Sequence, residues 1–510
     1  MKLYSDIYGV TDEVRRQRIP ELLAMTGLAP FTERLAGRLS GGMKQKLGLA
    51  CTLTRMPSLL LLDEPSVGVD PLSRRELWAI IKKVVAQEHM TVLVSTGYME
   101  DAEACDKVCV IDHGRVLAEG TPTELLRYAE HTCYRTAVPE GIQPRVLQAA
   151  LMDDRENVLD AVPEGIEVRF NLRRGRTPDA LTARQFFPQL APYPVPARLE
   201  DSFMYLLHQA AGSEDGGQEY APLPSLPASC EGRNRIGTAG AAPVAEHGDI
   251  DIEVHDLVRR FGNFTAVNET SFAVHHGEVF GLLGPNGAGK TTTFRMLCGL
   301  LPATSGQLLV AGKNLRTAPS DARRHIGYVA QKFSLYSMLS VRENLEFFGG
   351  AYGLSRRELA DRIPEILEEF ALTDRQDALA GSLPLGYKQR LSMAAALLHR
   401  PRILFLDEAT SGIDPIARRG FWRRITSLAA AGTTVVITTH FMEEANYCDR
   451  IMIQDQGRMI AIGTPAEVMR QGHAQQMNEA FINIVEAGRA ADDYDPFAVK
   501  KKEGSGDAEP

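Results

Sequence analysis

The sequence predicts an α/β protein built from two related units, of which the first is incomplete. An apolar segment that ends in Asp-Glu and closes on Asp-Pro occurs twice, as LLLDEPSVGVDP (residues 60–71) and LFLDEATSGIDP (residues 404–415). A glycine-rich loop, GPNGAGKT (residues 284–291), occurs once, ahead of the second copy. Short apolar strands alternate with helical segments, as in a mainly parallel sheet. The pattern therefore indicates two copies of one α/β unit with a single phosphate loop.

The repeat has a constant spacing. Asp63 and Asp407 lie 344 positions apart (407 − 63), and Gly42 and Gly386 share that spacing. A period of this size indicates a duplicated domain, because solenoid repeats are far shorter. The first unit begins at the equivalent of about residue 345, so it lacks roughly 95 residues (345 − 250) of the second, including the phosphate-loop strand and helix.

The repeat and the local composition divide the chain into five regions. Residues 212–248 are rich in Gly, Ala, Pro and Ser, which is typical of a flexible linker, and the tail ending in KKKEGSGDAEP is typical of disorder. The predicted regions are a partial first unit (1–128), a small α/β domain (129–211), a flexible linker (212–249), a complete second unit (250–472), and a helical segment with a disordered tail (473–510).

Bulk composition excludes several classes of protein. The net charge of -9 and pI near 5.8 argue against a broad surface for nucleic acid, so no nucleic-acid partner is expected. Seven irregularly spaced cysteines indicate reduced thiols instead of a disulfide framework. No apolar run approaches the roughly 18–20 residues that span a bilayer, so we expect any membrane role to come through a partner.

The glycine loop matches the pattern G-x-x-x-x-G-K-[ST] between a strand and a helix. Its glycines let backbone N–H groups turn toward phosphate oxygens, and the helix N-terminus favours negative charge. Lys290 is expected to reach the β- and γ-phosphates and the Thr291 hydroxyl to bind Mg²⁺. The nucleotide-binding residues predicted from this loop are Gly284, Pro285, Asn286, Gly287, Ala288, Gly289, Lys290, Thr291 and Thr292.

Four further residues are candidates for chemistry. Asp407 ends an apolar strand, where open α/β sheets bind ligands, and a role beside Mg²⁺ suits it. The adjacent Glu408 is placed to polarise an attacking water. Gln331, 41 residues beyond Lys290, and His440, at the end of TTVVITTH, are in isolation equally typical of ordinary structural positions. A solvated acidic turn is the plain alternative for the Asp-Glu pair.

Together these residues resemble the ATP-binding cassette, the nucleotide-binding domain of ABC transporters. The resemblance covers residues 250–470 with every element in order, and residues 1–128 with the back half only. It implies a P-loop NTPase cassette with a helical signature subdomain, and ATP and Mg²⁺ as cofactors. The implied roles are adenine stacking for Phe261, the loop toward the membrane partner for Gln331, the catalytic base for Glu408, the switch histidine for His440, and Mg²⁺ binding for Thr291, Gln331 and Asp407.

The family signature LSGGQ differs between the units. In the first it reads LSGGM, and Ser40, Gly41 and Gly42 can donate hydroxyl and backbone N–H bonds to a γ-phosphate. In the second it reads LPLGY, where Pro384 has neither donor and Leu385 crowds the approach that glycine permits. The second signature is therefore expected to be defective.

The resemblance implies that two cassettes pair head to tail, within the chain or between chains, with ATP between the phosphate loop of one and the signature of the other. One site then combines the second unit's phosphate loop with Ser40, Gly41 and Gly42. The other site would combine Asp63 and Glu64 with the altered signature, and Gly97 stands where the second unit has His440. We expect one hydrolytic and one degenerate site.

Tandem cassettes without a membrane segment resemble the ATPase subunit of an ABC-2-type multidrug exporter. The resemblance implies a separate integral-membrane permease as partner, and a cytoplasmic location, peripheral on the inner membrane. Two alternatives stay open: a ribosome-associated tandem-cassette ATPase, and a truncated remnant that binds ATP. If Met1 is not the natural start, a further phosphate loop is expected roughly 55 residues upstream. In the second unit the loop's Lys290 precedes Gly386 by 96 residues, and the equivalent Gly42 lies at position 42, which gives 96 − 42 = 54.

Overall fold

The computed structural model describes residues 1–39, 41–185, 187–211, 249–317, 322–413 and 415–491. The predicted linker, apart from Asp249, and the predicted tail beyond residue 491 lie outside these ranges. The α-helices are Lys2–Ile7, Asp12–Met25, Gly41–Thr52, Pro71–Glu88, Met99–Glu103, Pro122–Leu125, Pro144–Asp153, Leu199–Ala211, Lys290–Leu297, Val341–Ala351, Arg356–Glu369, Leu385–Leu397, Pro415–Ala430, Met442–Ala445, Pro465–Gln471 and Met477–Ala491.

The strands are numbered in chain order. They are β1 Leu59–Asp63, β2 Thr91–Ser95, β3 Val108–Asp112, β4 Arg115–Gly120, β5 Cys133–Ala137, β6 Val158–Glu164, β7 Glu167–Leu172, β8 Tyr193–Pro194, β9 Ile250–Phe261, β10 Phe264–His275, β11 Val279–Leu283, β12 Ser305–Val310, β13 Lys313–Asn314, β14 Ile326–Val329, β15 Ile403–Asp407, β16 Thr434–Thr438, β17 Arg450–Asp455 and β18 Arg458–Gly463.

The second unit is centred on a six-stranded sheet with the order β14-β15-β16-β11-β17-β18. All neighbours are parallel except the β17–β18 hairpin. Strands β11, β15 and β16 are buried along their whole length, which explains why they read as continuous apolar runs. An antiparallel sheet, β10-β9-β12-β13, packs beside them. This arrangement confirms the predicted α/β fold and places the ends of β11 and β15 close together.

A helical region follows β14 in the second unit. Its helices Val341–Ala351 and Arg356–Glu369 each begin with a capping box, formed by Ser340 with Glu343 and by Ser355 with Glu358. The third helix, Leu385–Leu397, begins directly after the altered signature. These helices share one apolar core with β15 and its neighbours, so the signature position is fixed relative to the sheet.

The first unit repeats only part of this architecture. Strand β1 pairs in parallel with β2, as β15 does with β16, and β3 pairs with β4, as β17 does with β18. In the second unit, β11 lies between β16 and β17. Among the described residues of the first unit, no strand lies between β2 and β3, which are the counterparts of β16 and β17. A cavity of about 1550 Å³ lies there, lined by Val92, Val110 and Phe203 among others.

Residues 129–211, which the sequence predicts to form a small domain and which are called the small domain below, lie between the two units in the chain. The small domain has an antiparallel sheet, β6-β7-β5-β8, which packs on helix Pro144–Asp153. It contacts the second unit through ion pairs of Arg145 with Asp449 (2.9 Å) and Arg419 with Asp160 (3.1 Å). Its last helix, Leu199–Ala211, returns to the first unit and packs on β3 and β4. The small domain therefore contacts both units.

The helix Met477–Ala491 makes a second connection. It packs on the second unit through Phe481 and Val485, which are fully buried. It also reaches the first unit, where Asn478 Nδ2 donates to Glu100 Oε1 at 3.0 Å. None of the helices in the described parts of the chain is long and apolar enough to cross a membrane.

Candidate nucleotide-binding site

The phosphate loop lies between β11 and helix Lys290–Leu297, in a backbone shape that only glycine tolerates. Gly284 and Gly289 have φ angles of +151° and +103°. A Cβ at Gly284 would lie 2.1 Å from the carbonyl oxygen of Gln454, and one at Gly289 would lie 2.4 Å from that of Ala266. These close approaches hold the loop against β10 and β17, so its N–H groups lie at the start of a helix.

Lys290 is buried beneath this loop. Its Nζ donates to the carbonyl oxygens of Gly284 at 2.5 Å and Pro285 at 3.0 Å. Burial lowers the pKa of the Lys290 ammonium, although nearby carboxylates oppose this; the largest opposing effects come from Glu408 and then from Asp70 of the first unit. Lys290 is therefore a buried cation surrounded by acidic groups from both units.

The Asp-Glu pair lies at the carboxyl end of β15, on the same edge of the sheet as the end of β11, with β16 between the two strands. The hydroxyl of Thr438, on the neighbouring β16, donates to Asp407 Oδ1 at 2.7 Å. Burial raises the pKa of Asp407, and the Thr438 hydrogen bond offsets part of that rise. Asp407 thus lies close to Lys290, whose charge also acts on it.

The structure brings Glu408 together with His440 and Gln331, which are distant in sequence. Glu408 has a φ of +48°, and its backbone N–H donates to the Thr438 carbonyl at 3.0 Å. One carboxylate oxygen pairs with His440 Nε2 at 2.6 Å, and the other accepts from Gln331 Nε2. Burial alone would raise the pKa of Glu408, but the His440 hydrogen bond and charge outweigh it and hold that pKa below its ordinary value. The carboxylate is therefore kept ionised.

Two other predicted residues lie at the surface. The Thr291 side chain is exposed at the first turn of the phosphate-loop helix. Phe261 ends β9 and is 46% exposed, with the Arg259 guanidinium 4.5 Å above its ring. It pairs with Phe264 at the start of β10, and β10 contributes Ala266 against Gly289. The Phe261 ring therefore belongs to the hairpin that adjoins the phosphate loop.

The first unit meets the phosphate loop at Asn286. The Asn286 backbone N–H donates to Asp70 Oδ2 at 3.2 Å, and its side-chain Nδ2 donates to the Gly68 carbonyl at 3.0 Å. A Cβ at Gly41 would lie 3.4 Å from Asn286 Nδ2. The phosphate loop and the first unit's signature are therefore neighbours. The predicted Ser40 lies outside the described residues.

Asp70 also orders the first unit's side of this contact. Its carboxylate caps helix Pro71–Glu88 by accepting from the Ser73 N–H and the Ser73 hydroxyl, both at 3.0 Å. Gly42 is buried against the same serine, since a Cβ there would lie 2.9 Å from Ser73 Oγ. Sequence reasoning missed Gly68 and Asp70 as site residues, although both lie within the repeated motif DEPSVGVDP.

The residues expected to form the second, degenerate site are arranged differently from those around Glu408. The Glu64 carboxylate accepts a hydrogen bond from the Gly97 backbone N–H at 3.3 Å, and Gly97 stands at the position that His440 occupies in the second unit. Burial, the largest influence, raises the pKa of Glu64. The Leu385 side chain lies 3.5 Å from the Cβ position of Gly412, which corresponds to Gly68 in the repeat. The Leu385 side chain thus packs against the second unit's loop at Gly412. The counterpart of this loop in the first unit, at Gly68, accepts a hydrogen bond from Asn286.

The fold and the loop are typical of a P-loop ATPase. Residues 4–67 and 267–411 match the family described as "ABC transporter". The chain is 44% identical over 490 residues to "Probable multidrug ABC transporter ATP-binding protein YbhF" of Escherichia coli (strain K12), covering 95% of this chain and 81% of that protein. It is 42% identical over 233 residues to "Nod factor export ATP-binding protein I" of Rhizobium sp. (strain N33), covering 46% of this chain and 77% of that protein.

A solved structure described as "Structure of ATP binding subunit of ABC transporter" is 31% identical, with a TM-score of 0.43, covering 46% of this chain and 99% of that one. On the sequence relatives, the chain belongs to the ABC transporter family as an ATP-binding protein. It is an ATPase of the class that drives transport.

Proposed function

We propose that this ATPase powers an ABC-2-type multidrug exporter through a single composite site. The contact of Asn286 with Gly68 and Asp70 carries the proposal, because it brings the phosphate loop of one cassette against the other cassette. The exported substrate class is suggested by the relative named as a multidrug ATP-binding protein. Preferential binding of ATP to the closed pair of cassettes would supply the energy for the conformational change.

Within this site, Glu408 acts as the general base. Its carboxylate accepts a proton from water as the water oxygen attacks the γ-phosphorus and the bond to the bridging oxygen of ADP breaks. His440 holds that carboxylate in place at 2.6 Å and keeps it ionised. Lys290 and the N–H groups of the phosphate loop bind the phosphates. Phe261 stacks on the adenine.

The oxygen donors of the site fit Mg²⁺, which prefers oxygen ligands. Thr291 would contribute its hydroxyl, Asp407 its carboxylate and Gln331 its amide oxygen, since the Gln331 amide nitrogen is the atom that bonds Glu408. When bound, the ion would neutralise charge on the β- and γ-phosphates.

The first cassette completes the site from the side opposite the phosphate loop. In this proposal Ser40, Gly41 and Gly42 donate hydrogen bonds to the γ-phosphate. The contacts of Gly68 and Asp70 hold Asn286. The other composite site has neither a histidine beside Glu64 nor a glycine at position 385. We infer that one ATP is hydrolysed per chain and cycle.

The permease would dock on an exposed apolar surface that begins five residues after Gln331 in the sequence. This docking surface consists of Tyr336, Met338 and Phe347, which are 50%, 83% and 48% exposed. The Tyr336 and Phe347 rings pack edge to face at 4.8 Å. Buried Asn344 bonds both the N–H (2.9 Å) and the C=O (3.0 Å) of Tyr336, so the surface is held rigidly. A rigid exposed apolar patch is typical of a protein-binding site.

Photo-crosslinking tests the permease proposal. A benzophenone amino acid replaces Met338 in the full chain expressed in its natural host, and captured proteins are identified by mass spectrometry. We expect an integral membrane protein with several spanning helices and no phosphate loop. The matched control places the same probe at Ile166, which is 69% exposed and lies on the small domain instead of the second unit.

The control decides how the result is interpreted. Capture of the membrane protein from position 338 but not from position 166 supports the permease. Capture of ribosomal proteins from position 338 would contradict the proposal in favour of a ribosome-associated ATPase.

A further inference from the structure

An aromatic stack joins the two cassettes behind the composite site. The rings of Tyr98, from the first cassette, and Phe441, from the second, are stacked with centroids 5.1 Å apart and planes 13° from parallel. The Arg74 guanidinium lies 5.2 Å from the Tyr98 ring, and the Arg418 guanidinium lies 3.9 Å from the Phe441 ring. These four side chains, two from each cassette, meet across the interface and are called the stack below.

The members of the stack are related by the internal repeat. Tyr98 and Phe441 each follow the switch position, and Arg74 and Arg418 occupy equivalent places in PLSRRELW and PIARRGFW. Both arginines are buried, at 8% and 7% exposure, and each has a carboxylate partner on its own cassette. The first cassette therefore keeps an aromatic residue at position 98, although Gly97 stands directly before it where the second cassette has His440.

The stack contacts both sides of the hydrolytic site. Phe441 directly follows His440, which holds Glu408 at 2.6 Å. On the other side, hydrogen bonding with the Gly68 backbone lowers the pKa of the Tyr98 phenol. The Gly68 carbonyl in turn accepts from Asn286 of the phosphate loop at 3.0 Å. A continuous set of contacts thus runs from the switch histidine through Tyr98 to the phosphate loop.

The Tyr98 phenol is held in its neutral form. Burial, the largest influence, raises the pKa of Tyr98 to about 12, although Arg74, Arg418 and the Gly68 amide lower it. The ring is therefore a stable stacking partner over the whole physiological pH range.

We propose that Tyr98 is a positioning residue for ATP hydrolysis, acting from the first cassette on the switch loop of the second. This inference rests on the composite site proposed above. The Phe441 ring is 9% exposed and has the Tyr98 ring on one side and the Arg418 guanidinium near it. Removing Tyr98 leaves one face of Phe441 uncovered, so the loop that carries His440 gains freedom. Hydrolysis should suffer, whereas binding of ATP by the phosphate loop should not.

The first test separates the ring from the hydroxyl. For Tyr98→Ala we expect kcat to fall about tenfold, on the scale of a lost aromatic pair with its cation–π neighbours. The Kd for a fluorescent ATP analogue should stay within about twofold, because the phosphate loop is intact. Tyr98→Phe keeps the stack and should restore kcat to within about threefold. Tyr4→Ala, at a 45% exposed tyrosine in the first cassette, is the matched control and should match wild type.

The second test asks whether Tyr98 acts through Phe441. In a double-mutant cycle with Phe441→Ala, the double variant should be no slower than Phe441→Ala alone, since both changes break one stack. Additive losses would overturn the inference, as would full activity of Tyr98→Ala. An inactive wild-type chain would instead refute the composite site itself. Loss of nucleotide affinity in both Tyr98 variants would show a structural role only and would also overturn the inference.

Discussion

The two acidic strands, β1 and β15, have nearly the same sequence and very different surroundings. Both end in Asp-Glu, and Glu64 and Glu408 adopt nearly the same left-handed conformation, with φ of +47° and +48°. Both aspartates accept a hydroxyl bond from the neighbouring strand, at 2.8 Å from Ser95 and 2.7 Å from Thr438. The backbone at the strand end is therefore set by local sequence in both copies.

Burial is where the copies diverge. Strand β15 is buried at every position, whereas on β1 Leu60 is 2% exposed and Leu61 is 65% exposed. One face of β1 packs on helix Pro71–Glu88, but the other lacks the counterpart of the β9–β12 sheet and the phosphate-loop helix among the described residues. The conformation and hydrogen bonds at the end of each strand are therefore set by the local sequence. The burial of the strand depends on parts of the fold that are distant in sequence.

The largest difference between the copies should appear in catalysis. Glu408→Gln removes the proposed general base, whose carboxylate pairs with His440, so we expect ATP hydrolysis to fall by about 100-fold or more while ATP stays bound. Glu64→Gln should leave the rate within about twofold, because among the described residues the Gly97 amide is the one hydrogen-bond partner of the Glu64 carboxylate. Steady-state ATPase assays and filter binding measure both. Comparable losses in the two variants would contradict the asymmetry.

The free energy of unfolding should depend on whether a leucine lies on a buried or an exposed face of its strand. Leu404→Ala and Leu60→Ala remove equivalent buried leucines, at 0% and 2% exposure, and should each cost about 2–5 kcal/mol in the free energy of unfolding. Leu61→Ala, one residue along β1 but 65% exposed, should cost less than about 1 kcal/mol. Denaturant unfolding of the three variants measures this. A cost for Leu61→Ala equal to that of Leu60→Ala would show that its face is covered.

The signature glycines give a finer comparison. Gly42→Ala would place a methyl group 2.9 Å from Ser73 and disturb the Asp70 cap that bonds Asn286, so we expect about a tenfold lower ATPase rate. Gly386→Ala, at the equivalent position of the second cassette, has no atom within 4 Å of the new Cβ and should behave as wild type. Circular dichroism of both variants controls for folding. A slower Gly386→Ala enzyme would mean that the second signature also contributes.

The smallest effects are expected in the pH dependence of stability. The pKa of Glu408 is lowered in the fold, so its contribution is present above the ordinary value of 4.5 and is lost as the pH falls through the folded value. The pKa of Glu64 is raised, so ionising it costs stability as the pH rises above 4.5. Unfolding curves of Glu408→Gln and Glu64→Gln should therefore deviate from wild type with opposite signs. Deviations of the same sign would contradict the pKa shifts.

Local pattern was enough to predict the α/β fold and the phosphate loop, because strand, glycine loop and helix are adjacent in the chain. The repeat spacing also identified Gly41 and Gly97 as positions that differ between the cassettes. Sequence could not predict that Tyr98 stacks on Phe441, or that Arg145 and Arg419 join the small domain to the second cassette. These contacts join residues hundreds of positions apart, and their partners are set by packing of whole units, not by spacing.

The most direct test of the account replaces Gly41 and Leu385, the equivalent first residues of the two signature helices, by aspartate. Gly41→Asp places a carboxylate beside Asn286 and the expected γ-phosphate, and we expect ATPase activity to fall at least tenfold. Leu385→Asp, 51% exposed and outside the composite site, should retain activity within about twofold. Full activity of Gly41→Asp, or equal loss in Leu385→Asp, would contradict a single ATP site assembled from both cassettes.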